Sequence, residues 1–406
     1  MNTFVHFQYP GNLLHQLPPE LLCKIFLKSL SGSPFYQQQE NEYGDVDMTF
    51  DTSRMTTPFT LSAVCHQWRM TAFAEPSLWS FVYLVATPRK AKVQAYLLEQ
   101  WLHRSGTLPL TIEIDTSNDP KKEWSAGFST SASILLRPVF RHSPRCTTFR
   151  TRLPPSCLLP HSQSDYPNFI NLTTLTIFPE EIPDAEEEEG EKIELFRHAT
   201  NLRHIEIREV NFNQLIISWT SVVKVTTSNL GVNDCLHILR SAPHLEECSF
   251  EGILWPEENQ ITDTILLSGL KTLFLDFGEM ETTQDIITRL VTAPNLEVFE
   301  YITEDADEFP TQQFGEFVTR SNCSLTYLSI KKPSMTVEEI NQCLSQVSRS
   351  LEFLSLELLS DADVQMTTFE HPLHVIAGQL PRLKSATFSG PTMVLYPLFN
   401  IQIPQL

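Results

Sequence analysis

NLTTLTI, Asn171 to Ile177, and NLRHIEI, Asn201 to Ile207, share one spacing: an apolar residue, a second three positions on, and a third two beyond that. Side chains of an extended chain alternate between two faces, so the last two apolar residues point one way and their neighbours point the other. The same 0, +3, +5 ladder recurs through the second half of the chain. Its members are Leu172/Leu175/Ile177, Leu202/Ile205/Ile207, Val222/Val225/Thr227, Leu245/Cys248/Phe250, Leu270/Leu273/Leu275, Leu296/Phe299/Tyr301, Leu325/Leu328/Ile330, Leu351/Leu354/Leu356 and Leu383/Ala386/Phe388. Successive first positions lie 30, 20, 23, 25, 26, 29, 26 and 32 residues apart.

Between these phrases come stretches that are apolar on one helical side, such as DCLHILRSAP, TTQDIITRLVTAP and TVEEINQCLSQVSRS. The junction A-P-x-L-E recurs in SAPHLEE and TAPNLEV. A strand, loop and helix cannot bury an apolar face alone, so such units must stack on one another. The spacings straddle the range of about 20 to 29 residues found in leucine-rich repeats, which the array resembles. The expected fold class is therefore α/β: an irregular leucine-rich-repeat solenoid with a curved parallel sheet inside and helices outside. Most units lack the Asn that satisfies backbone groups after the strand in the best-known repeats, which predicts irregular curvature and longer convex loops. Two looser units, KAKVQAYLLEQWLHRSGTLPLTIEID and SASILLRPVFRHSPRCTTFRTRL, precede the nine, so the array is assigned to residues 89–406. The structural alternative is a doubly wound α/β domain, against which stand nine ladders in one direction and no Gly-rich nucleotide turn.

The +2, +4 and +6 positions should line the open face of the sheet. Phe178, His204, Glu206, Arg208, Phe274, Asp276, Tyr327 and Phe353 are the candidate target-binding residues there. Aromatic side chains among mixed charges suit protein binding, because aromatic anchors carry much of the energy and charges select partners. An ordinary solvated sheet face would have the same composition, and no ligand class follows from it.

Ahead of the array, LPPELLCKIF (Leu17 to Phe26) reads as a helix opening on Pro18 and Pro19, where a missing N–H has no intrahelical partner to lose. Leu21, Leu22, Ile25, Phe26 and Leu30 spread over roughly half of its circumference, against the usual apolar stripe of about 100°. A second helix is expected in FTLSAVCHQWRMTAF, with Leu61, Val64, Cys65 and Trp68 at i, i+3, i+4 and i+7 on one face. Pro76 can open a further turn carrying Leu78 and Trp79. This unit carries more apolar surface than it can hide, so either the neighbouring domain or an outside partner must cover the rest.

LPPELLCKIF followed by LSAVCHQWRMTAFAEPSLWSFVYL resembles an F-box, and is especially similar to the F-box proteins of mushroom-forming fungi. The match spans residues 13–84. It implies a helical unit that docks on a Skp-type linker, tied in turn to a cullin scaffold and a ubiquitin-conjugating enzyme. It places Leu17, Pro18, Leu21, Leu22, Ile25, Val64, Cys65 and Trp68 in or beside the linker-facing surface, and leaves Phe26, Leu61, Leu78 and Trp79 to hold the helices together. Residues 31–57 depart from the family as a polar, acidic insertion rich in Gln, expected to be a disordered surface loop. The implied function is a substrate-recognition adaptor of a ubiquitin ligase that catalyses nothing itself; the alternative is a linker-independent scaffold or regulator.

The 406 residues carry 29 Lys and Arg against 49 Asp and Glu, a formal net charge of −20. Such a chain repels phosphate backbones and anionic lipid, so neither nucleic acid nor membrane is an expected partner. The eight cysteines show no C-x-x-C, and no secretory signal or apolar span is evident, which together predict buried thiols and a cytoplasmic or nuclear protein. Neither metal-ligand spacing nor a phosphate-cradling or nucleophile-elbow motif appears, so no metal, cofactor or catalytic residue is assigned. His371 and His374 lack another plausible ligand, and the acidic run Asp184 to Lys192 reads as a solvated loop.

Overall fold

In the computed structural model, twelve parallel strands add to one sheet in the order in which the chain supplies them. The structure describes residues 17–30, 36–40, 46–50, 57–116, 128–159, 167–178, 192–208, 210, 212–254, 263–277, 286–303, 309–358, 366–370 and 380–391. The acidic run up to residue 191 and both His371 and His374 lie outside them.

The chain opens with α1 (Pro19–Leu30), the antiparallel pair β1 (Tyr36–Glu40) and β2 (Val46–Phe50), α2 (Pro58–Val64) and α3 (His66–Ala74). A 3-10 turn at Pro76–Trp79 leads into β3 (Phe81–Ala86), α4 (Ala91–Arg104), β4 (Leu110–Thr116), α5 (Phe128–His142) and β5 (Cys146–Thr151). Then follow β6 (Thr174–Ile177), β7 (His204–Ile207), β8 (Lys224–Ser228), α6 (Val232–Ser241), β9 (Glu247–Ile253), β10 (Ile265–Leu266) and β11 (Thr272–Phe277). The last stretch is α7 (Ile286–Leu290), β12 (Val291–Thr292), β13 (Val298–Ile302), α8 (Thr311–Ser321), β14 (Tyr327–Lys331), α9 (Val337–Val347), β15 (Phe353–Glu357), β16 (Met366–Glu370) and β17 (Ser385–Pro391).

Twelve strands, from β3 to β17 without β10, β12 and β16, lie parallel in strict chain order, and β16 closes the far edge antiparallel to β17. Strands β10 and β12 form a separate small parallel pair. A doubly wound sheet reverses its strand order at a switch point. The twelve parallel strands never do, so the protein is an α/β fold whose parallel sheet grows in one direction.

The ladder is its interior. Every ladder residue is buried except Leu383, which is half-buried. Helices and crossovers supply the opposing wall: Phe149, Phe169 and Phe196 meet at centroid distances of 5.3 to 5.9 Å, and Phe299 lies 5.5 Å from Phe314 and 5.8 Å from Phe317. The backbone repeats as well. The Thr173 carbonyl accepts both Arg203 N–H and His204 N–H, and the same double acceptance recurs at Arg203, Val223, Glu246, Lys271, Glu297, Thr326 and Glu352. Asparagine adds a side-chain stitch just before the ladder: Asn171, Asn201 and Asn295 donate Nδ2–H to the carbonyls of Pro144, Ile170 and Ser268, 27 to 31 residues earlier. In these three units a cross-unit link is made in front of the strand, by the Asn of the N-L pair.

Four expectations change. The helix read through FTLSAVCHQWRMTAF breaks at Cys65, whose extended backbone (φ −158°, ψ 174°) ends α2 and whose Sγ accepts from the Trp68 N–H as the cap of α3. Arg69 bridges the break by donating from Nε to the Ser62 carbonyl at 3.0 Å. The insertion expected to be a loop holds the β1–β2 hairpin, with Tyr36 opposite Phe50; its remaining residues, 31–35, 41–45 and 51–56, lie outside the described ones. The sheet begins at β3, inside the 13–84 stretch. Finally, the TTQDIITRLVTAP stretch passes from α7 into the short strand β12, and between β7 and β8 the described residues hold a 3-10 turn at Phe212–Gln214 and no α-helix.

The eight cysteines are free thiols; five are buried and Cys23, Cys65 and Cys323 are half-buried. Burial pushes Cys146 and Cys157 up to about 12, which leaves them protonated and poorly nucleophilic. Among the described residues no helix is long and apolar enough to cross a membrane, and no group of His, Cys, Asp or Glu is arranged to hold a metal ion.

Candidate functional site

At the N-terminal unit, α1 divides its greasy circumference between two directions. Leu22 and Phe26 are fully enclosed, and the Phe26 ring packs at a tilt of 57° against Trp68 with centroids 4.9 Å apart. Leu61, Leu78 and Trp79 are buried with them, and the indole N–H of Trp79 donates to the Ala72 carbonyl at 2.7 Å. The outward side is bare: Leu21 is 45% exposed, Ile25 47% and Val64 59%. Pro18 is exposed beside them, while Leu17, Cys65 and Trp68 are half-buried. The Gln67 amide donates to the Leu17 carbonyl, fastening the entry of α1 to α3. Leu22 is therefore a core residue, because its position on α1 faces the bundle and leaves it no surface to offer a partner.

On the sheet, parallel register arranges the non-ladder residues in three rows. His204, Tyr327 and Phe353 stand in the first row, Glu206 and Phe274 in the second, and Phe178, Arg208 and Asp276 near the C-terminal ends of the strands. None of the eight is buried, and Phe353 is exposed. They do not form one site. Tyr327 and Phe353 are directly paired neighbours, but five strand steps separate β7 from β14, so His204 stands about 24 Å from Tyr327 along the sheet.

Phe178, Glu206 and Arg208 do come together. The Arg208 guanidinium sits 5.2 Å from the Phe178 ring centre, 3.6 Å from Glu206 and 3.0 Å from Glu251. Burial raises the Glu251 carboxyl above its ordinary range, and Arg208 opposes that shift. Further along, Lys224 meets Glu247 at 2.6 Å with both side chains about half exposed, a pairing that contributes little to stability.

The most enclosed charges lie where the two looser units meet the regular ones, and the sequence reading did not select them. Tyr83, Glu113, Asp115, Arg150 and Thr176, together with Phe178, line a shallow depression with a cavity volume of only about 10 Å³. Glu113 and Asp115 are each 4% exposed. Arg150 donates from Nη1 to Glu113 Oε1 at 3.1 Å, Arg152 lies 3.7 Å from Asp115, and Tyr83 donates its hydroxyl to Asp115 at 3.2 Å. Burial raises the Glu113 carboxyl despite Arg150 beside it. The signal was present in the alternation of LTIEID and TTFRT, whose charged residues share the face opposite Ile112, Ile114 and Phe149.

No protein-family model matches the chain, and no curated protein matches it either.

Proposed function

We propose that the protein is a substrate-recognition adaptor of a Skp/cullin/F-box ubiquitin ligase, with an F-box at residues 13–84 and an irregular leucine-rich-repeat solenoid at 89–406. The observation that carries the reading is the unsealed apolar side of the N-terminal unit. Leu21, Ile25 and Val64 stay open to solvent while Leu22, Phe26, Leu61 and Trp79 close the bundle beneath them. An apolar patch on an already packed unit suits a protein partner. A Skp-type linker is the partner that the LPPELLCKIF…VCHQW resemblance implies.

The sheet supports the second half of the reading. One-directional growth, a buried ladder and repeated inter-unit hydrogen bonds are what stacked repeats require. They leave an open face on which aromatic and charged residues are presented to a target protein, which the adaptor would hold while a separate enzyme transfers ubiquitin. Co-expression of the full chain with a Skp-type linker tests this directly: the two should co-purify through gel filtration. If wild-type protein elutes without the linker, the ligase reading fails, and a linker-independent scaffold or regulator takes its place.

A further inference from the structure

Helix α4 carries a second bare apolar stripe, on residues that belong neither to the N-terminal patch nor to the open face of the sheet. Val93 is 62% exposed, Tyr96 65% and Leu97 43%. They stand at i, i+3 and i+4, on the side of the helix opposite Ala91, Leu98 and Leu102, which are buried. Gln100 and Arg104 fall in line with them, and the Arg104 guanidinium ends the stripe 4.4 Å from the ring centre of Phe73, itself exposed on α3. From Val93 to Arg104 the stripe runs roughly 16 Å at the helical rise per residue.

Cations border it. In a chain whose formal net charge is −20, residues 81–98 hold Arg89, Lys90 and Lys92 and no Asp or Glu. All three are exposed, and none makes an ion pair with a described residue. Lys92 lies one turn before Tyr96, and Arg89 and Lys90 belong to the 3-10 turn Pro88–Lys90 just ahead of α4. The first turn of α4 has no acidic residue and its N-cap makes no side-chain hydrogen bond, so the positive end of the helix dipole adds to these charges. Glu99, further along the helix, already faces Arg141 at 3.7 Å.

This arrangement selects the occupant. A second copy of the chain laid antiparallel on the stripe would bring Arg89, Lys90 and Lys92 against His103 and Arg104, and a parallel copy would bring them against themselves. An anionic bilayer would spread beneath a whole side of the molecule and meet the repulsion of its net negative charge. A narrow acidic segment lying along α4 feels chiefly the local cations, because charges beyond about 10 Å are screened at ordinary salt. Such a segment is a helix rather than an added strand, since α4 offers side-chain ridges and no free backbone edge.

We propose that the outer stripe of α4 docks an acidic amphipathic helix of a partner protein. Its apolar side chains cover Val93, Tyr96 and Leu97, and its carboxylates pair with Arg89, Lys90 and Lys92. The surface lies outside residues 13–84 and off the open sheet face, so it serves a contact separate from linker docking and target binding.

Fluorescence anisotropy with the full chain tests this, using a labelled helical peptide of about 15 residues, with Leu along one side and Glu and Ala elsewhere. The same peptide with Lys for Glu is the charge control, and vesicles of phosphatidylserine and phosphatidylcholine are the membrane control. At low salt the acidic peptide should bind at least about tenfold more tightly than the basic one, and added salt should narrow the difference. Lys90→Glu combined with Lys92→Glu should abolish that preference. Val93→Ala combined with Tyr96→Ala should weaken the acidic peptide by about tenfold or more, with the melting temperature unchanged because both side chains already face water. Ile25→Asp should leave its binding as in wild type. The proposal is overturned by an acidic peptide that binds no more tightly than the basic one, by undiminished binding in either double variant, or by equal loss in Ile25→Asp. Vesicle binding or dimerisation of the wild-type chain that disappears in Val93→Ala with Tyr96→Ala would overturn it as well, by assigning the stripe to another occupant. Failure of linker co-purification would leave these outcomes untouched, so the two readings fail separately.

Discussion

Ile25→Asp separates the side of α1 that holds the protein together from the side held open. Leu22 and Ile25 are one turn apart on that helix, yet Leu22 is fully enclosed and Ile25 is 47% exposed. Complete burial of such a side chain contributes about 1.5 to 3 kcal/mol, so covering the bare half of Ile25 on a partner is worth about 1 kcal/mol. With Leu21 and Val64 treated alike, the patch offers roughly 2 to 4 kcal/mol to a docking contact. Placing a carboxylate at its centre removes the Ile25 share and adds the cost of desolvating a charge, several kcal/mol where water is excluded. Ile25→Asp should therefore weaken association with a Skp-type linker by about 30-fold or more, corresponding to at least about 2 kcal/mol. The fold should lose much less, about 1 kcal/mol or below, since half of the side chain already faces water. Leu22→Ala is the internal control, expected to cost about 2 to 5 kcal/mol. Calorimetric titration gives the first quantity and thermal melting the second. If Ile25→Asp melts as low as Leu22→Ala, or binds linker as tightly as wild type, the division of α1 into inner and outer faces is wrong.

Other consequences are sharper for stability. Phe299→Ala removes a ladder residue ringed by Tyr301, Phe314 and Phe317 and should cost about 3 to 5 kcal/mol, read as a lower denaturant midpoint. Gly252 holds φ +58°, and a Cβ there would lie 2.6 Å from Asn229 Oδ1; Gly252→Ala should destabilise by about 1 to 2 kcal/mol or more, whereas Gly231→Ala, with an ordinary φ and only a van der Waals contact at 3.9 Å to Asp234, should not. Burial raises the Glu113 carboxyl in the folded state, so the native protein binds more protons than the unfolded chain between the ordinary carboxylate value of 4.5 and the raised one. Stability contributed through this group is therefore present at low pH and falls as pH rises through that window. In Glu113→Gln this descending component should vanish from the pH dependence of unfolding; an unchanged profile would contradict the burial argument.

How much was legible in the chain depends on whether a signal was local. The ladder was, because strand alternation is a property of neighbouring residues, and all but Leu383 of its members are buried. Both looser units were also legible as helix then strand, in α4 with β4 and α5 with β5. Periodicity failed at Cys65, since a spacing of i, i+3, i+4 and i+7 counts residues and cannot register one extended residue that stops a helix and caps the next. It failed equally at the insertion, where β1 and β2 pair across residues that composition alone marks as loop.

The candidate site shows the same boundary. Sequence by itself determined which residues face the open side of each strand, because that follows from a period of two. Only the tertiary structure decided that Phe178, Glu206 and Arg208 meet while His204 and Tyr327 stand far apart, and that Glu113 and Arg150 share a wall. Those relations depend on which strands are neighbours and on their register, and register is set by hydrogen bonds between units some 20 to 37 residues apart. Likewise, α1 announced its wide apolar arc in LPPELLCKIF, but the packing of Phe26 on Trp68 chose which part of that arc was closed and which was left bare.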